Sequence, residues 1–96
     1  MKVELSAEAH AQVEKIDAWW RKNRLVAPEM FITELGNALT ALEEMPTLGT
    51  RYVVGTKNVR RMLLRRTRYH LYFIEQKERL FTVAVWSAYR GRGPKL

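Results

Sequence analysis

Apolar and polar positions alternate in two regimes along the chain. In the first half, Ala9, Val13, Ile16 and Trp20 recur at steps of four, three and four, with Gln12, Glu14, Asp17 and Lys22 on the opposite side. That spacing draws one apolar stripe along a helix and predicts an amphipathic helix from Ala7 to about Asn23. Ser6 suits the N-cap, where its hydroxyl accepts from an otherwise orphaned amide, and Glu8 sits favourably against the helix dipole. Trp19 points about 100° round the helix from Trp20. Ahead of the cap, Lys2-Val3-Glu4-Leu5 alternates as a short strand does.

A break follows at Leu25-Val26-Ala27-Pro28. Phe31, Leu35, Ala38, Leu39, Leu42 and Met45 then resume helical spacing, with Pro28 expected in the first turn, where its missing N–H has no partner to lose. Gly36 weakens this second helix and is expected to admit a close neighbour. Pro46 ends it, because the residue before a proline avoids the α region. The two helices should form an antiparallel hairpin.

Beyond Gly49 the period changes to two. Arg51 to Val54, Asn58 to Leu64, Arg68 to Glu75 and Leu80 to Ala88 read as strands, the last two joined by a turn over Gln76-Lys77-Glu78-Arg79. By strict alternation Trp86 lies on the sheet face opposite Val83 and Val85. The fold class expected is α+β: an N-terminal strand and an antiparallel two-helix hairpin packed on a C-terminal three- to four-stranded antiparallel sheet, with the first strand free to join its edge. A chain of this length is one domain, residues 1–96.

Composition narrows the chemistry. With 47% hydrophobic and 28% charged residues the chain is globular, and no run is long enough to span a bilayer. The opening MKVELSAEAH has no apolar signal core, so a cytoplasmic location is expected. No cysteine is present, and the two histidines, His10 and His70, have no carboxylate cluster beside them. Disulfides, thiolate catalysis, a metal site and a cofactor are therefore not expected.

Charge is distributed unevenly. Residues 1–50 carry five Lys/Arg and eight Asp/Glu, a net −3, whereas residues 51–96 carry twelve and two, a net +10. So basic a segment attracts polyanions or an acidic protein segment. Arg60, Arg61, Arg65, Arg66 and Arg68 cannot all share a face. In an unbroken strand Arg60, Arg66 and Arg68 fall on one side and Arg61 and Arg65 on the other, and a turn near Arg65–Thr67 would reset that parity.

Four features taken in order resemble the RelE/ParE superfamily of bacterial toxins: Ser6-Ala7-Glu8-Ala9 with Ile16 and Trp20; Ala27, Phe31, Leu35 and Leu42 before Pro46–Gly49; Arg68-Tyr69-His70-Leu71-Tyr72-Phe73; and Val83-Ala84-Val85-Trp86-Ser87-Ala88-Tyr89-Arg90-Gly91-Arg92. The resemblance implies a type II toxin–antitoxin system and a hetero-oligomer with a cognate antitoxin that carries an acidic C-terminal segment. It offers two activities: ParE-like binding of DNA gyrase, and RelE-like cleavage of mRNA on the ribosome. Neither involves a membrane.

Metal-free RNA cleavage needs a proton acceptor, a proton donor and cations for the charged phosphorane. If the chain were such a nuclease, Arg61, His70, Arg90 and Arg92 would form its catalytic set. Leu63 stands where RelE-like nucleases carry a basic residue, His70 where they carry Arg, and no tyrosine follows Arg92. The phosphate-holding groups survive while the proton-transfer groups do not, so no catalytic residues are expected. The break at Pro28 and the ending Arg90-Gly91-Arg92-Gly93-Pro94 look closer to ParE-like members. On that reading Arg60, Arg61, Arg66, Arg68, Arg90 and Arg92 bind the target or nucleic acid, and Trp19, Trp86 and Tyr89 bind the antitoxin. A third reading, a non-toxic nucleic-acid-binding module, would use Tyr69, Tyr72 and Phe73 as stacking surfaces.

Overall fold

The computed structural model describes residues 1–96. Strand β1 (Lys2–Leu5) leads into α1 (Ala7–Asn23) and α2 (Met30–Glu44), followed by β2 (Thr50–Val54), β3 (Lys57–Leu64), β4 (Tyr69–Gln76) and β5 (Arg79–Ser87). The helices form the expected hairpin and pack on one face of the sheet. The sheet has five strands in the order β1-β5-β4-β3-β2. Its last four form an antiparallel meander, while β1 joins the edge parallel to β5, pairing Lys2–Leu5 with Arg79–Thr82. The expected α+β architecture is thus present, and the first strand, taking the edge in parallel, makes the sheet five-stranded and mixed. The reason is topological: the two helices reverse the chain twice between β1 and β2, and the meander adds an odd number of reversals from β2 to β5. With the reversal into β2 the total is even, so β1 and β5 run the same way.

Local signals set α1. Ser6 caps it, its Oγ accepting from the Ala9 amide at 3.1 Å, while the Ser6 amide donates to the Thr82 carbonyl at 2.9 Å and fastens the helix start to β5. Helix α2 starts later than the proline suggested. Pro28 lies in the interhelical turn, and the Met30 amide reaches back to the Ala27 carbonyl at 3.2 Å. At the other end Met45 leaves the α region, as Pro46 requires, while its amide still closes on the Ala41 carbonyl at 2.8 Å. Gly36 faces open space on the exposed side of α2, so it admits no close neighbour.

The main core lies between helices and sheet. Val13 and Trp20 from α1, Phe31, Leu35 and Leu42 from α2, and Leu64, Leu71, Phe73, Leu80 and Val85 from the strands form one cluster. Full burial of each large apolar side chain contributes roughly 1.5–3 kcal/mol. Phe31 and Tyr69 meet edge to face at 5.0 Å, and the Trp20 Nε1–H donates to the Tyr69 hydroxyl at 3.2 Å.

A second, smaller cluster lies on the far face: Val59, Tyr72 and Ala84, with Tyr52, Ile74, Val83, Trp86 and Leu96 packed around them. The β4–β5 register shifts between Tyr72 and Phe73, whose partners are Ala84 and Thr82, leaving Val83 as an extra residue. This bulge resets the face parity of β5. Val85 faces the helices, opposite Trp86, but Val83 leaves the side expected for it and joins Trp86 on the far face.

Candidate functional site

Two surfaces carry the residues singled out by sequence. The first is the sheet face turned away from the helices. Register places Arg61 opposite Tyr72 and His70 opposite Trp86. Tyr52 and Tyr72 meet edge to face at 5.0 Å, His70 approaches Tyr72 at 6.1 Å, and the Arg61 guanidinium lies 4.8 Å over the Tyr52 ring. Arg90 stacks 4.3 Å over Trp86, whose Nε1–H donates to the Arg92 carbonyl at 2.9 Å. Arg61, His70, Arg90 and the Arg92 backbone are thereby tied to one aromatic framework.

Burial, then the positive charge of Arg61, pushes the His70 pKa below its ordinary 6.5. Its imidazole is neutral near pH 7. Burial raises the Tyr72 phenol above its ordinary value against the opposing influence of Arg61. It remains protonated and able to donate.

The turn after β3 presents further cations. Arg65, Arg66 and Arg68 are exposed, while Thr67 is buried and hydrogen-bonded to Glu34 of α2. Arg68 adopts a left-handed φ of 65°, its amide donating to the Leu64 carbonyl and its carbonyl accepting from Ala88, both at 2.8 Å. Arg61, Arg65, Arg68 and His70 line one concavity with Gly49, Thr50, Met62 and Leu63. Every ion pair in the protein involves Lys2, His10, Arg21 or Arg79, so the arginines of this region have no carboxylate partner.

The six arginines expected to bind together therefore separate. Arg60 belongs to the helix side, where it stacks 5.0 Å over Phe73 and donates to the Pro46 carbonyl. Arg66 lines a different recess, beside Glu29 and Glu34 near the interhelical turn. The proposed stacking set also dissolves. Tyr69 and Phe73 pack on the helix side, and Tyr72 is only 2% exposed.

The second surface is a cleft of about 490 Å³ between α1 and the end of β5. Trp19, Trp86 and Arg90 line it together with Gln12, Ile16 and Tyr69. Trp19 is 44% exposed beside the buried Trp20, and Arg24 stacks 4.8 Å over its ring. Because β1 stops at Thr82, the outer edge of β5 beyond it has no strand neighbour. Gln12 meets part of that need, its Oε1 accepting from the Val85 amide at 2.7 Å. Tyr89, 81% exposed, follows immediately after β5 but does not line the cleft. No group of three or more His, Asp or Glu is placed to hold a metal ion.

Residues 3–90 match the family model described as the ParE toxin of the type II toxin–antitoxin system parDE. The chain belongs to the ParE toxin family. A ParE toxin is one half of a toxin–antitoxin pair, so an antitoxin partner is implied. No curated protein matches the chain in sequence. The fold is similar to a chain in the structure of the chromosomal ParDE TA system from P. aeruginosa, with a TM-score of 0.72 at 14% identity, covering 91% of this ParE chain and 95% of the other. Arg65 and Thr50 stood outside the expected binding set, and Glu34, which holds the adjoining turn without lining the concavity, was not anticipated. Arg65 was visible in the arginine run, but the contact of Glu34 with the turn joins residues more than thirty positions apart and leaves no local signal.

Proposed function

We propose that this ParE-family chain arrests bacterial growth by binding DNA gyrase in the cytoplasm, without cofactor or bond-breaking chemistry, and that a cognate antitoxin neutralises it. The family match over residues 3–90 is the observation that carries this reading. The far sheet face supports it. Metal-free cleavage requires both a proton acceptor and a donor. Arginine is a poor general base, burial holds Tyr72 neutral, and His70 is the one group of this set suited to exchange a proton near neutrality. A binding surface needs only anchors and charge, which Arg61, Arg68, Arg90 and Arg92 supply.

The antitoxin is assigned to the cleft between α1 and β5. Trp19 and Trp86 offer aromatic anchors there, and the unpaired β5 edge suits an extended segment added as a strand. An acidic segment would be drawn by Arg90 and by the net +10 of residues 51–96. Tyr89, exposed two residues beyond β5, is left free for the same partner.

Purified protein added to gyrase and relaxed plasmid should block supercoiling, and the antitoxin encoded beside it should restore it. The rival ribosome-dependent mRNA endonuclease rests on the pairing of His70 with Arg61 on one face. Unimpaired supercoiling, together with transcript cuts on translating ribosomes that vanish in His70→Ala, would establish that rival. Harmless expression would favour the non-toxic nucleic-acid-binding module.

A further inference from the structure

We propose that the concavity framed by Gly49, Thr50, Arg61, Arg65, Arg68 and His70 binds the phosphodiester backbone of a nucleic-acid strand. The space is about 580 Å³ and opens to solvent beside β3. Three arginines and a histidine line it, from β3, the following turn and β4, and the lining contains no acidic residue. None of these arginines is spent in an ion pair elsewhere in the protein. So much unpaired positive charge on a small lining is costly unless an anion completes it. The planar fork of arginine fits the paired oxygens of a phosphate.

The site is also held in shape. Glu34 accepts hydrogen bonds from the Arg66 amide, the Thr67 amide and the Thr67 hydroxyl at 2.8, 2.9 and 2.6 Å. Both carboxylate oxygens are thereby directed to the backbone and hydroxyl of the turn and away from the concavity. Arg65 and Arg68 flank this pinned segment, so their side chains start from a fixed backbone. His70, neutral near pH 7, adds one N–H donor.

A polymer fits better than a small phosphate ester. The charge around the concavity extends well beyond one phosphate, with residues 51–96 carrying net +10. The structure divides the arginine run of the sequence, since Arg60 and Arg66 face elsewhere while Arg61, Arg65 and Arg68 gather with Thr50 and His70. The inference rests on the toxin's own side chains and not on gyrase as the target; a failure to block supercoiling would strike that target alone.

The test is fluorescence anisotropy of a labelled 12-nucleotide single-stranded DNA across a salt series. Binding should weaken steeply with salt, each phosphate contact adding about 0.7 to the logarithmic slope. Arg65→Gln and Arg68→Gln should each weaken binding severalfold and lower that slope by about 0.7. Arg79→Gln, whose guanidinium pairs with Glu4 at the opposite sheet edge, should leave both unchanged. Inorganic phosphate should compete, whereas polyglutamate of equal charge should displace the DNA poorly. Independently of any variant, phosphate added to the ¹⁵N-labelled wild-type protein should shift the amides of Thr50 and of residues 65–70. Unchanged slopes in both arginine variants, displacement by polyglutamate as effective as by DNA, or amide shifts absent from these residues would each overturn the proposal.

Discussion

Glu34 on α2 grips Thr67 in the β3–β4 turn by both of the threonine's donors, the amide at 2.9 Å and the hydroxyl at 2.6 Å, through one carboxylate oxygen. Its other oxygen takes the Arg66 amide at 2.8 Å. This contact is where the helical layer fixes the most basic turn of the sheet. Burial pushes the Glu34 pKa up, but the hydrogen bonds from Thr67 and the Arg66 and Thr67 amides, with the Arg66 charge, outweigh it, and the net shift is below the ordinary 4.5.

A depressed carboxylate stabilises the fold at pH above its unfolded value and loses that contribution as pH falls through its folded value. Stability should therefore decline with acidification below about pH 4.5, and Glu34→Gln should flatten that part of the profile. Glu34→Ala should cost about 1–3 kcal/mol at neutral pH, because Thr67 is buried and its donors lose their acceptor. Urea unfolding followed by circular dichroism from pH 3 to pH 7 would check both.

Two glycines should respond to alanine in opposite directions. Gly36 sits inside α2 with nothing within 4 Å of an added Cβ, so Gly36→Ala should raise stability by about 0.5–1 kcal/mol. Gly49 has a φ of +94°, and a Cβ there would lie 2.8 Å from Phe73 Cζ and 3.1 Å from the Arg61 carbonyl. Gly49→Ala should cost roughly 1–3 kcal/mol. Thermal unfolding of the two variants beside the wild type gives both signs.

His70 should titrate below 6.5, since burial and the neighbouring Arg61 both oppose its charge. Stability should accordingly fall as pH drops from about 6.5 towards the folded value, because the unfolded chain takes up the proton first. In Arg61→Gln the imidazole should titrate closer to its ordinary value, although burial still holds it down. Proton NMR of the His70 ring, assigned by its loss in His70→Asn, measures both values.

Local signals made much of the fold legible. The stripe from Ala9 to Trp20 and the Ser6 cap define α1 almost to the residue, because both are built from neighbours in the chain. The separation of Arg60 from Arg61 followed from strand parity alone. The rest depends on distant partners. The parallel seat of β1 on β5 is a matter of topology, and the Val83 bulge that brings Val83 to the face of Trp86 is set by pairing with β4. Pro28 misled because a proline suited to a first helical turn also suits the turn just before it. The cleft between Trp19 and Trp86 and the concavity completed by Arg65 and Thr50 were out of reach, since each is assembled from elements that meet only in the folded chain.

Part of the far sheet face is packed against the chain's own last residues, and Gly93 lies close against it. Its backbone lies so near the aromatic pair that a Cβ would stand 2.6 Å from the Tyr52 hydroxyl oxygen and 3.4 Å from that of Tyr72. Tyr52 has little room to yield, because its ring lies between Tyr72 at 5.0 Å and the Arg61 guanidinium at 4.8 Å. The tail is fastened on either side of Gly93, by the Trp86 Nε1–H donating to the Arg92 carbonyl and by the Lys57 ammonium donating to the Leu96 carbonyl. Gly93→Val should therefore lift residues 91–96 from the face while leaving the main core, on the opposite side of the sheet, intact. Trypsin should cut after Arg90 and Arg92 faster in the variant than in the wild type. Trp86, freed from its acceptor, should change its fluorescence, whereas the thermal midpoint should move only slightly. Equal cleavage rates and an unaltered Trp86 signal would mean that the tail tolerates a side chain at this position.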